Sequence, residues 1–225
     1  RGPVELTGKF TITNDFVFTY YVENAVALLD MHGFAIRDET WELPADSQVL
    51  GRMTYDSASK SGTFDLNLPA LPRGEFNDVD HNGNKDTGVQ IFAVGYSPNL
   101  YGGPFAEGDD RSRGWPSYLA SVKTDSENND EVIGGKLVVW SPDANQGFPS
   151  GFGADGLLFT DDDPVAAIPA GYSIVDLDQK PFKVTQTAQP ELTLYEPTDV
   201  ALKDFSGLSY TEAFDKMFEI VCKEY

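Results

Sequence analysis

Short apolar runs separated by turn residues constrain the fold of this chain most. In the clearest run, residues 15–22, the side chains of Phe16, Phe18, Tyr20 and Val22 alternate with other residues and give a strand one apolar face. Comparable runs cover residues 4–13, 33–37, 48–55, 62–68, 89–96, 117–123, 132–140, 171–177 and 182–187, and the run 24–30 fits either a strand or a helical turn. Many short strands with turn chemistry between them predict a mainly β chain, built as an antiparallel β-sandwich of jelly-roll or immunoglobulin-like topology.

Long loops and a change of composition indicate the domain organisation. Residues 69–88, 97–116 and 141–169 are rich in Gly, Pro, Asn and Asp, and loops of this length in a compact domain are usually functional or held by a ligand. We therefore predict one β-sandwich domain over residues 1–187. Residues 188–204 have the character of a stiff linker, and a helical segment follows over residues 205–225.

The charge balance excludes two classes of partner. Asp and Glu number 36 against 16 Lys and Arg, a net charge of −20, whereas nucleic acids and anionic membranes are bound through clustered Lys and Arg. Neither nucleic acid nor membrane insertion is expected. The acidic residues occur in clusters, and clustered carboxylates point to a divalent cation, which relieves their mutual repulsion.

The first acidic cluster, residues 78–86, follows the spacing of an EF-hand calcium loop over nine positions. Its predicted calcium ligands are Asp78, Asp80, Asn82, Asn84 and Asp86. Gly83 stands where such loops turn sharply, and alternate residues of the turn direct oxygen atoms to one centre. The Glu expected at position 12 is replaced by Val89, so the motif predicts a calcium loop between strands rather than a helix–loop–helix. The alternative is an Asx-rich turn held by its own hydrogen bonds.

A second acidic cluster lies in residues 153–164. The predicted calcium ligands in this loop are Asp155, Asp161, Asp162 and Asp163. Three adjacent carboxylates repel one another unless a cation or solvent separates them, and a solvated acidic turn is the alternative. Both sites are expected to bind Ca²⁺ with the affinity of extracellular modules, at a Kd of order 10⁻⁴–10⁻³ M.

No catalytic constellation stands out in the sequence, although the many acidic residues leave a pair of carboxylates for glycoside hydrolysis open. The two histidines are His32, beside Gly33, and His81, at a non-ligand position of the first acidic loop. No nucleophile elbow, zinc motif or phosphate loop accompanies them. We therefore predict no catalytic residue in this chain. Trp115 and Tyr101 lie in a long loop and can stack on sugar rings, although such aromatic side chains also pack loops onto a sandwich.

The C-terminal segment predicts an amphipathic helix with nothing of its own to pack against. Ser209 and Glu212 have the spacing of a capping box. Apolar side chains then recur at helical spacing at Tyr210, Ala213, Phe214, Met217, Ile220 and Val221. No Gly, Asn or Pro stop signal follows before Tyr225. We expect the chain to be the N-terminal part of a longer protein.

This segment resembles the opening helix of the tail-specific (C-terminal-processing, tricorn-like) serine peptidases. The resemblance rests on Ala213, Phe214, Asp215 and Tyr225, and pieces of residues 155–178 are similar to the β domain that precedes the catalytic part in some secreted bacterial members. It implies that the Ser–Lys catalytic machinery lies downstream. No active-site residue of that family is carried by this chain.

Taken together, these patterns favour a secreted or cell-surface, calcium-stabilised accessory domain of a serine peptidase. Its expected partners are the downstream catalytic domain of the same chain and a protein or peptide substrate. Two alternatives remain open: a carbohydrate-binding module, and a surface or adhesion domain stiffened by calcium.

Overall fold

We describe the fold from a computed structural model, which places residues 4–13, 25–37, 48–96, 119–125, 131–196 and 203–224. The strands are β1 (Glu5–Thr11), β2 (Ala25–Asp30), β3 (Gln48–Asp56), β4 (Ser61–Asn67), β5 (Phe76–Asn77), β6 (Val89–Tyr96), β7 (Val122–Thr124), β8 (Val132–Ser141), β9 (Gly147–Pro149), β10 (Val165–Ala167), β11 (Gly171–Asp176), β12 (Lys183–Thr185) and β13 (Glu191–Leu194). The helices are α1 (His32–Ile36) and α2 (Tyr210–Glu224).

Eleven of these strands form one mixed sheet that curls on itself. The strand order is β12-β11-β8-β6-β2-β3-β4-β1-β13, with β5 beside β6 and β7 beside β8, while β9 and β10 form a separate pair. Within the large sheet, β13 is parallel to β1 and the other pairs are antiparallel. Tyr195, just after β13, bridges Ala120, and Ala120 bridges Gly95 of β6. The edge strand β13 thus returns to the centre of the sheet and closes a ring of strands.

The ring encloses one of two hydrophobic clusters. This ring core takes side chains from each main strand of the ring, among them Leu6, Phe10, Val26, Leu28, Met53, Phe64, Leu66, Phe92, Val94, Leu192 and Leu194. In β1 the buried Leu6 and Phe10 alternate with exposed Glu5, Lys9 and Thr11, so one face of the strand is inside and the other meets water.

The second cluster covers the opposite face of the central strands, and we call it the loop core. All eight residues of β6 are buried, because Phe92 and Val94 enter the ring core while Ile91 and Ala93 enter the loop core. Residues outside the large sheet supply much of this second cluster, including Val79, Phe148, Leu158, Phe159, Leu177 and Phe182. The loop core therefore anchors both acidic loops to the sheet.

The structure confirms a mainly β chain with a C-terminal helix, whereas a β-sandwich is not confirmed. A single curled sheet, covered on one face by loops and α1, takes the place of two packed sheets. Residues 191–194, inside the predicted linker, form β13 and pair with β1. The run 15–22 lies outside the described residues.

The strand predicted at residues 33–37 was wrong, since His32–Ile36 form the short helix α1. The carboxylate of Asp30 accepts a hydrogen bond from the backbone N–H of His32 at 2.9 Å, and Ala35 N–H donates to the carbonyl of Met31 at 3.0 Å. Phe34 and Ala35 are buried in the loop core, and this packing outweighs the strand-like local pattern.

Candidate functional site

The first acidic loop connects β5 to β6 and turns as the calcium motif requires. Val79 is 3% exposed and fixes the start of the loop in the loop core. Gly83 has a φ of +78° and His81 a φ of +47°, both in the left-handed region. A left-handed glycine at the sixth position of the motif allows the sharp reversal that brings alternate side chains to one side.

Hydrogen bonds within the first loop follow an Asx pattern. The Asp80 carboxylate accepts the backbone N–H of Asn82 at 3.1 Å, and the Asn82 side-chain oxygen accepts that of Asn84 at 2.7 Å. The Asp86 carboxylate accepts the N–H of Gly88 at 3.0 Å. These bonds order the loop in the way expected of an Asx-rich turn, and each acceptor oxygen keeps a second lone pair for another partner.

The carboxylates of the first loop are close enough to affect one another. Partial burial, followed by the negative charges of Asp86 and Asp80, raises the pKa of Asp78. A carboxylate held near two like charges is stabilised by a cation that neutralises them. The surroundings of the Asp78 carboxylate thus favour a positively charged partner.

The second acidic loop uses three of its carboxylates, those of Asp163, Asp162 and Asp155, to hold its own backbone. The oxygens of Asp163 accept the N–H groups of Gly153 at 2.8 Å, Phe159 at 2.7 Å and Thr160 at 3.2 Å. Asp163 is 8% exposed, and burial raises its pKa despite these hydrogen bonds.

Asp162 and Asp155 support the same loop from its exposed side. Asp162 accepts the hydroxyl of Thr160 at 2.8 Å and the N–H of Ala154 at 2.5 Å. The hydrogen bond from Thr160 and those from the backbone lower the pKa of Asp162. The Asp155 carboxylate accepts the N–H of Leu157 at 2.9 Å. The hydrogen bonds of this loop therefore favour a self-supported acidic turn.

Asp161 differs from its neighbours because it faces the first loop. Its side chain is 94% exposed, and its Oδ1 lies 3.1 Å from Nδ1 of His81. The first loop also contacts β9, because Asp80 packs closely against Gly147. A Cβ atom at position 147 would lie only 2.4 Å from Oδ2 of Asp80. A glycine at this position lets Asp80 pack against the backbone of β9. The structure thus brings the two acidic loops together.

The fit of these residues to a calcium ion is partial. No group of three or more Asp, Glu, His or Cys side chains in the described part of the chain is placed to share a metal ion. Calcium also accepts carbonyl and amide oxygens, which the first loop offers at Asn82 and Asn84. The first loop therefore offers oxygen atoms of the kind that calcium accepts, but its carboxylates are not directed at one point.

A buried polar cluster beneath the first loop was not predicted from the sequence. Asp30, at the end of β2, has no exposed surface and accepts the N–H groups of His32 at 2.9 Å and Glu75 at 3.0 Å. His32 Nδ1 lies 2.6 Å from the side-chain oxygen of Asn77, whose amide donates to the carbonyl of Glu75 at 3.0 Å. His32 therefore has a partner, 45 residues away in sequence. The sequence feature that could have indicated this cluster is Asp30, a carboxylate at the end of the apolar strand β2.

The remaining predicted site residues, Trp115 and Tyr101, lie outside the described residues. Among the residues that are described, no helix combines the length and the apolar character needed to span a bilayer. Comparison with known proteins identified no relative: no family model, curated protein or solved structure matches the chain significantly.

Proposed function

We propose that this chain is a non-catalytic, calcium-stabilised accessory domain of an extracytoplasmic serine peptidase, which contacts polypeptide substrate or partners. The observation that carries the calcium part is the turn of the first loop, in which Gly83 has a φ of +78° and the charges of Asp86 and Asp80 act on Asp78. The contact between His81 and Asp161, at 3.1 Å, holds the second loop beside the first. A hard divalent cation is the ligand that such a set of oxygens prefers.

In this proposal the first loop is the main calcium site. Asp78, Asp80, Asn82 and Asp86 would bind through side-chain oxygens and Asn84 through its carbonyl. Calcium would supply positive charge that offsets their repulsion and would fix the connection between β5 and β6. The carboxylates of Asp162 and Asp163 already accept backbone N–H groups. In this proposal the second loop therefore supports the first loop by packing beside it rather than by binding the main calcium ion.

The peptidase part is supported by α2. Its capping box is formed, with the Ser209 hydroxyl 2.7 Å from the Glu212 carboxylate and the Ser209 N–H donating to that carboxylate at 3.0 Å. Tyr210, Phe214 and Val221 are exposed on the helix, and a downstream catalytic domain would cover this apolar face. The reading frame past Tyr225 tests the assignment: a PDZ-like stretch, then a catalytic Ser and a later Lys support it, whereas further β domains contradict it.

Thermal unfolding tests the calcium site directly. Because a ligand that binds only the folded state stabilises it, calcium at ten times its Kd should add about 1.4 kcal/mol, or roughly 3–6 °C in Tm. Asp78→Asn should remove this gain. In excess chelator the same variant should be at least as stable as the parent protein, because it relieves repulsion. Asp65→Asn on β4 removes an exposed carboxylate outside both loops and should keep the full response. Equal Tm values with chelator and with calcium would refute the site.

A further inference from the structure

A cleft of about 750 Å³ lies beside the second acidic loop. It is bounded by residues 150–156 on one side and by the turn 177–182 on the other. Its apolar wall contains the rings of Phe152 and Phe182, which meet edge to face with centroids 5.0 Å apart. Ile133 of β8 also lines the cleft and is 52% exposed. The volume falls in the range of ligand sites, and the exposed apolar lining favours an apolar group as occupant.

One cationic side chain at the cleft, that of Lys180, can pair with a negative group of a partner. Asp178 is already engaged, since its carboxylate lies 2.8 Å from Nζ of Lys123 and accepts the N–H of Gly135 at 3.1 Å. Lys180 also lines the cleft, is exposed, and forms no ion pair with any residue that the structure describes. The ammonium group of Lys180 is therefore available to a carboxylate placed next to the apolar group.

The outer edge of β10, which follows Pro164 of the cleft, has no strand partner among the described residues. β10 pairs with β9, and the bonds on that side involve alternate residues: Ser150 N–H donates to the carbonyl of Pro164 at 2.6 Å, and Ile168 N–H donates to that of Gln146 at 3.0 Å. By the alternation of an antiparallel ladder, the N–H and C=O groups of Val165 and Ala167 point away from β9. No described residue bonds to them. Pro164, which precedes β10, lines the cleft.

We propose that the cleft and the outer edge of β10 form one binding site for an extended peptide segment that carries a bulky apolar residue and, two positions along, an acidic one, since residues two apart share a face of a strand. Val165 and Ala167 bond to the peptide backbone, as in strand addition to an exposed sheet edge. The apolar side chain packs on Phe152 and Ile133 in the cleft, and the carboxylate pairs with Lys180. The inference rests on the proposed function in that its ligand is a polypeptide, but it does not depend on calcium.

Binding of blocked octapeptides tests this site. The probes alternate Thr and Val, with Phe, Leu or Ala at a central position and Glu, Gln or Lys two positions after it. Affinity is measured by fluorescence anisotropy with and without calcium. Phe–Glu peptides should bind with Kd below about 1 mM and Ala–Glu peptides at least fivefold more weakly. Lys180→Glu should weaken Phe–Glu at least fivefold while leaving Phe–Gln nearly unchanged, and should favour Phe–Lys.

Two matched variants test the strand edge. Ala167→Pro removes an N–H that points away from β9, so the β9–β10 pair is kept while addition of a strand is blocked, and all peptides should bind at least fivefold more weakly. Ala167→Thr keeps the N–H and should bind normally. Circular dichroism confirms that each variant is folded.

The proposal is overturned if no peptide binds below about 1 mM, or if neither Lys180→Glu nor Ala167→Pro changes binding. It is also overturned if phenylpropionate binds the cleft and the peptides do not. Peptide binding without any calcium effect on Tm would reject the calcium site alone.

Discussion

Among the carboxyl groups of the described residues, that of Asp30 has the most strongly shifted pKa. Burial raises its pKa from 3.8 to about 6, although hydrogen bonds from the N–H groups of Glu75 and His32 act in the opposite direction. His32 and Glu75 are also the titratable groups beside it, the first favouring its ionised form and the second opposing it. The folded state therefore holds a proton on Asp30 at pH values where the unfolded chain has released it.

This shift predicts a pH-dependent loss of stability. The contribution of a raised carboxyl pKa is fully present below about pH 4 and is lost as the pH rises through about 6. Between pH 5 and pH 7 the parent protein should lose about 1 kcal/mol relative to Asp30→Asn, which cannot titrate at this position. Urea unfolding of both proteins at each pH gives the difference directly. If the two proteins respond identically to pH, Asp30 does not titrate in this range.

At the scale of the element, adjacent acidic residues of the second loop have different roles. Asp163 accepts three backbone N–H groups, whereas Asp161 is almost fully exposed and contacts only His81 among the described residues. Their similar place in the sequence, Asp161-Asp162-Asp163, conceals this difference.

The two residues provide a matched pair of substitutions. Asp163→Asn leaves a single acceptor oxygen for three N–H groups and should cost about 1–3 kcal/mol. Asp161→Asn should change stability by less than about 0.5 kcal/mol, because an exposed ion pair contributes little. Chemical unfolding in excess chelator measures both without any contribution from calcium. Similar losses for the two variants would contradict the division of roles.

The elements that could be predicted from sequence are those with a strong local pattern. β6 was predicted with its observed bounds because a strand buried on both faces reads as a nearly continuous apolar run, interrupted here by Gln90. β9 and β10 were missed, since three residues carry too little pattern to distinguish a strand from a loop. In the acidic loops the spacing predicted the glycine turn, but it could not reveal that Asp161 meets His81, which lies 80 positions earlier.

At the scale of the whole molecule, the closure of the sheet depends on contacts between distant residues. β13 aligns with β1, where Thr7 faces Glu191 and Phe10 faces Leu194, and Tyr195 then reaches Ala120. A linker-like composition around β13 gave no sign of this pairing, because strand partners at such separation are selected by tertiary packing. The sequence therefore indicates the class of fold, while the curl of the sheet emerges only from its assembly.

The net charge of −20 predicts that salt stabilises the whole molecule. Raising NaCl from 20 mM to 0.5 M shortens the screening length from about 20 Å to about 4 Å, so repulsion between distant carboxylates largely disappears. We expect a stabilisation of at least about 1 kcal/mol and a rise in Tm of roughly 2–4 °C for each kcal/mol.

Calorimetry in excess chelator gives the screening effect alone, with KCl as the control for a sodium-specific effect. A Tm that stays constant or falls would show that the carboxylates are already compensated within the fold. Millimolar calcium added in 150 mM NaCl hardly changes the ionic strength, so any further rise in Tm reports bound calcium rather than screening.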